Sequence, residues 1–254
     1  MNQHISRRSI LTTGAAVAGA MALGVHVQAA DQPKRRVVVW SEGTAPKNIY
    51  PKDINTVIAE GLQKDLDGWD IVIANLSDPD QGLADDRLNS TDVLMWWGHQ
   101  KHADVKDELV KKIVKRVNED GMGFIALHSA HFAKPNRALM GSPCSWSAYV
   151  VDSTNLKVIV TAPKHPIAQG VSDFDIVHEE RYGNPYMVPM PQTLVFDGIY
   201  VRKDGKLLPS ELGFCWTRGK GKMFYFQVGH ETNPIFFDAN VRKIMKNAVA
   251  WAAK

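Results

Sequence analysis

The sequence predicts an α/β fold in which an open parallel sheet lies between helices and is extended by an antiparallel portion. Two observations predict it. In the first half, continuous apolar runs alternate with segments of helical period, as strands covered on both faces require. In the second half, β-rich runs follow one another across tight turns, the pattern of antiparallel pairing.

The first element is not structural. SRRSIL (Ser6 to Leu11) sets Arg7 and Arg8 before the uncharged run Thr12 to Val27, and Val27 to Ala29 offers small residues for cleavage. Residues 1–30 thus resemble a twin-arginine-type signal peptide, too short and weakly apolar to span a bilayer. The expectation is a periplasmic protein beginning near Ala30 or Asp31, with no stable membrane span and a single domain over 35–254. Without residues 1–29 the chain carries 28 basic and 27 acidic side chains, and no basic stripe points to nucleic acid. Cys144 and Cys215 are too few for a disulfide framework and read as buried thiols.

Strands are expected at Val37 to Glu42, Asp70 to Leu76, Asp92 to Trp97 and Gly123 to Ser129. Helices are expected over Asp53 to Leu66 and Asp104 to Asn118. In the second, Val105, Leu109, Ile113 and Val117 recur every four residues, with Asp104 as N-cap and Gly121 as stop. Strand, helix, strand, helix implies right-handed parallel crossovers. Further strands are expected at Leu156 to Ala162, Thr193 to Val201, Leu212 to Gly219 and Lys222 to Val228, the last two joined as a hairpin by GKGK. Asn240 to Ala253 closes the chain as a helix. The economical architecture is one flavodoxin-like domain with an added antiparallel portion.

Open parallel sheets gather their chemistry beyond the carboxyl ends of the strands. There the chain has two H-x-x-H pairs, His99/His102 in WWGHQKH and His128/His131 in LHSAH, where about 0.2 such pairs would arise by chance. Imidazole ligates zinc and similar ions, so His99, His102 and His128, completed by Glu180 or Glu231, are the candidate ligands of a divalent metal. The same carboxylates are candidate general bases. Trp97, Trp216 and Arg218, with His131 and Tyr182, are candidate contacts to a sugar, whose C–H faces pack on aromatic rings; core packing is the competing role for the tryptophans. No nucleotide cofactor is expected, and oligomeric state is left open.

WWGHQKH, GMGFIALHSAHFAK, HPIAQG, HEERYG, CWTRGKGKMFYFQVGHETNP and NAVAWA together resemble the ThuA-like (trehalose utilisation) family. The resemblance implies the three-layer sandwich of class I glutamine amidotransferases and a small-molecule substrate that is a disaccharide or keto-sugar derivative, handled by an isomerase, lyase or hydrolase; a non-catalytic sugar-binding protein is the alternative. QVGHE is similar to the segment that gives amidotransferases their catalytic His and Glu, here His230 and Glu231. Where they carry a nucleophilic cysteine this chain has His128 and Ser129, so glutamine hydrolysis is not expected. Ser129 with His230 and Glu231 could still form a Ser-His-Glu arrangement. Ala130, Arg181, Asn184 and the segment SWSAYVV depart from the family pattern, which bears on substrate choice.

Overall fold

The computed structural model describes residues 34–253, except for the side chains of residues 151–154. The expected export signal lies outside the described residues. Four short apolar strands, β1 (Arg36–Ser41), β2 (Asp70–Asn75), β3 (Val93–Trp97) and β4 (Gly123–Leu127), pair in parallel in the order β2-β1-β3-β4. Five further strands follow: β5 (Trp146–Val160), β6 (Phe174–Tyr186), β7 (Thr193–Val201), β8 (Leu207–Arg218) and β9 (Gly221–Phe226). The last, β9, lies parallel to β4, and from it the sheet continues antiparallel as β8-β7-β5-β6.

The helices are α1 (Ile54–Asp65), α2 (Asp85–Asn89), α3 (Asp107–Asp120), α4 (Lys134–Met140) and α5 (Ala239–Ala252). Alternate residues of the continuous apolar strands serve opposite layers, as the pleat dictates. Val37 and Val39 of β1 pack with α1 and α5, whereas Val38 and Trp40 pack with α3 and α4. The stripe Leu109, Val110, Ile113 and Val117 is buried as its period requires, each side chain contributing about 1.5–3 kcal/mol by leaving water. These layers form a three-layer α/β sandwich with its antiparallel extension.

Three expectations change. The helix α3 starts at Asp107, and Asp104 belongs instead to a separate short turn, His102–Asp104, without capping any helix. Gly121 does end α3, in the left-handed conformation at φ 84°. The strand expected from Leu156 begins ten residues earlier, because Trp146 to Val160 pairs with a strand, Phe174–Tyr186, whose charged sequence hides it. The hairpin between β8 and β9 is formed, and Gly219 sits against the Asn118 backbone where a Cβ could not fit. Cys144 and Cys215 are both free and buried.

Candidate active site

Three strand ends and one antiparallel strand converge on a polar cluster. At the end of β3, Trp96 and Trp97 alternate across the sheet. Trp96 stacks on Trp40 with centroids 3.6 Å apart, and Trp97 on the other face donates its indole N–H to the Gly229 carbonyl at 3.1 Å. The chain then turns at Gly98, where a Cβ would lie 3.2 Å from a carboxylate oxygen of Glu42. That carboxylate, buried at the end of β1, accepts the N–H groups of Gln100 at 2.5 Å and Lys101 at 2.9 Å, and pins the turn. Burial opposes its charge, but these backbone donors hold its pKa below the usual carboxylate value. His99 is thereby directed into the cluster, with Nδ1 2.9 Å from Ser129 Oγ and Nε2 3.3 Å from Glu231 Oε1.

β4 ends at His128, whose φ of 50° is left-handed and swings the chain into a short helical turn, His128–Phe132. Its imidazole is fully buried. Nδ1 lies 2.7 Å from the Gln227 carbonyl and must donate to it, which turns Nε2 toward Tyr182 Oη at 2.9 Å and Glu180 Oε2 at 3.0 Å. Burial disfavours charge on His128, yet the Glu180 carboxylate outweighs it and raises the pKa. Burial likewise opposes the charge on Glu180, and His128 and His230 more than offset this and lower its pKa.

β9 leads into GHE. Gly229, at φ 143°, is packed so closely that a Cβ would come 2.9 Å from Phe236 and 3.1 Å from His128. Nδ1 of His230 lies 2.7 Å from Thr232 Oγ1 and 3.2 Å from the Thr232 nitrogen, and Nε2 is 3.5 Å from Glu180 Oε2. Glu180 comes from β6, where the left-handed His178 (φ 59°) breaks the alternation, so that consecutive residues Glu179 and Glu180 are both buried. Glu179 Oε1 accepts the N–H groups of His230 at 3.0 Å and Gly229 at 3.3 Å, and burial pushes its pKa up to about 6. Glu231 Oε2 is buried without a hydrogen-bond partner.

The ThuA family model, described as trehalose utilisation, matches residues 36–252. The chain belongs to the ThuA family. Among solved structures, a ThuA-like protein of Parabacteroides merdae is 13% identical over 88% of this chain and 91% of its own, with a TM-score of 0.63. A Salmonella typhimurium protein described as cytoplasmic is 13% identical over 86% and 98% of the two chains, at TM-score 0.59. A glutamine amidotransferase of Thermotoga maritima is 9% identical over 87% and 98%, at 0.50. At such identities the likeness is one of fold. No curated protein matches the chain.

In this ThuA chain the candidate residues divide sharply. Glu180, His230, Glu231, Ser129, His99, His128 and Tyr182 come together. His102 does not: it lies over Gly98 and edge-on to Phe132, with ring centroids 6.5 Å apart, so it leaves the candidate ligand set. The group whose ligand atoms lie within 4.8 Å of one another is His128, His230 and Glu231. Ser129 pairs with His99 and Tyr182 Oη, both at 2.9 Å, and not with His230. Trp97 and Trp216 are 1% exposed and belong to the core, the latter donating to the Pro189 carbonyl at 2.8 Å. Arg218 lies at the far end of β8 with its guanidinium 3.6 Å from Met140 Sδ. His131 is buried among Phe132, Tyr149, Tyr182 and Tyr186, with Nδ1 2.6 Å from the Cys144 carbonyl. Burial drives its pKa down to about 3, so it is neutral and part of the packing. The sequence reading missed the bracing carboxylates Glu42 and Glu179; the only signals were an acid closing an apolar strand and the doublet in HEER.

Proposed function

We propose that the chain is a carbohydrate enzyme acting on a disaccharide or keto-sugar derivative by proton transfer, as in an isomerase or lyase. The observation that carries this is the pair Glu180 and Glu231, two buried carboxylates facing the imidazoles of His99, His128 and His230. Glu180, held ionised between His128 and His230, takes a proton from carbon beside a carbonyl. His99, held by Glu231 and Ser129, returns one to oxygen, and Tyr182 orients His128. Glu180→Gln removes the base with little change in shape. Turnover of oxidised disaccharides, followed by product analysis, falls roughly 10²–10⁴-fold in that variant. Recovery of every such sugar unchanged after incubation with the wild type would mean a binding protein.

A second reading rests on a specific geometry. Ser129 Oγ, His99 and Glu231 stand in line at 2.9 and 3.3 Å, which supports a serine hydrolase relay with His99 in the place first given to His230. A fluorophosphonate adduct on Ser129, found by peptide mass analysis, selects this reading. We further propose periplasmic export through the Arg7-Arg8 signal; replacing both by lysine leaves the precursor in the cytoplasm, and unchanged export refutes the route. Among the described residues no helix is long and apolar enough to cross a membrane.

A further inference from the structure

The geometry points to a divalent metal site made by His128, His230 and Glu231, with Glu180 beside its open position. The orientation of two imidazoles favours such a site. Metal-bound histidines engage one ring nitrogen with a partner that fixes the ring and leaves the other for the ion. His128 has Nδ1 on the Gln227 carbonyl at 2.7 Å, and His230 Nδ1, 2.7 Å from Thr232 Oγ1, accepts the Thr232 N–H at 3.2 Å, so the His230 proton sits on Nε2 and leaves when an ion binds; both rings present Nε2 to the same place. That common place is marked by Glu180 Oε2, which lies 3.0 Å from Nε2 of His128 and 3.5 Å from Nε2 of His230.

Glu180 Oε2 has the His128 ring beside it at 3.0 Å, whereas Glu231 Oε2, 3.9 Å from Nδ1 of His230, is buried without a hydrogen-bond partner. A buried carboxylate oxygen left without a partner is disfavoured, and a cation beside Glu231 Oε2 would supply one. Ligand atoms around a tetrahedral ion held at about 2.0–2.1 Å lie about 3.3 Å from one another, close without pointing at each other. The ligand atoms of the two imidazoles and Glu231 lie within 4.8 Å of one another, a looser set that an ion would draw together. Two nitrogens and one carboxylate with a vacant fourth position is a catalytic donor set for zinc and related ions. Glu42 and His102 are excluded, since they face the turn at Gly98.

The site shares its residues with the carbohydrate reading but does not depend on it, so the test uses metal alone. The purified chain is stripped with chelator, the chelator removed, and Zn²⁺ titrated calorimetrically; Co²⁺ is followed by its visible absorption. One ion per chain is expected. His230→Gln and Glu231→Gln each weaken Zn²⁺ binding roughly 100-fold or more, Thr232→Ala weakens it about tenfold through the orienting contact, and His102→Gln leaves it unchanged. Circular dichroism confirms that each variant is folded, and His230→Gln, at a partly exposed position, serves if the Glu231 variant is not. Absence of stoichiometric binding, or binding that survives His230→Gln and is lost in His102→Gln, overturns the proposal. Sugar turnover by a protein that binds no metal would overturn it while sparing the carbohydrate reading.

Discussion

The two H-x-x-H pairs end neighbouring parallel strands, and each sends its first histidine to the site and its second elsewhere. His99 and His128 face Glu231 and Glu180, whereas His102 covers Gly98 and His131 is enclosed by aromatic rings. Equal spacing therefore does not mean equal placement. A three-residue interval puts two side chains on one face only inside a regular helix. Here one pair spans a turn pinned by Glu42, and the other starts at a left-handed residue, His128. The backbone break between the members decides where each ring points.

Three experiments test that contrast. The largest effect is expected on turnover. His128→Asn lowers it roughly 10²–10⁴-fold, while His131→Phe keeps it within about threefold, measured on the same sugar product. Equal losses from both would mean that His131 reaches the substrate after all.

The next effect is on acid stability. The folded pKa of His131 is depressed to about 3 from an ordinary 6.5, so the unfolded chain takes up a proton that the folded chain refuses. The stability that this neutral histidine contributes is present above pH 6.5 and is lost as pH falls toward 3. By pH 5 the loss is about 2 kcal/mol. Urea unfolding at pH 7 and pH 5 measures it. His131→Phe removes much of the difference, and an unchanged acid loss in that variant assigns it to other groups.

The smallest effect separates the first members from the second by packing alone. His99→Ala, at a partly exposed ring, changes stability by less than about 1 kcal/mol, whereas His102→Ala costs about 1–2 kcal/mol through lost contact with Phe132. Thermal melts of the two variants read the difference directly, and the reverse order would contradict the assignment.

What was legible in the sequence follows the same physics. The parallel half declared itself because strands buried on both faces are apolar throughout, so β1 to β4 fall within two residues of their expected ends. The strand β6 was obscured because it carries Glu179, Glu180 and Tyr182 for the site, and a bulge at His178 erases its alternation. The residues of the cluster were nearly all named beforehand, since His and Glu at strand ends are conspicuous. Their pairing was not. Which imidazole meets Ser129, and which tryptophan is only core, depends on turns whose direction is set by Glu42 and Glu179, acids far away in sequence.

One residue makes the two halves of the sheet inseparable. Gln227 gives its carbonyl to His128, while its side-chain amide reaches Tyr182 O at 3.2 Å, Ser210 Oγ at 3.2 Å, Glu211 O at 2.9 Å and Tyr200 Oη at 2.9 Å. The antiparallel extension is therefore not a module that can be exchanged between relatives. A chimera that imports β5 to β8 without matching partners for this amide would strand its two N–H donors in the interior, at about 1–3 kcal/mol each, and loosen His128 at the same time. Any graft junction that separates Gln227 from Tyr182, Tyr200 and Ser210, one in the Asp204–Gly205 turn included, must carry all four residues together.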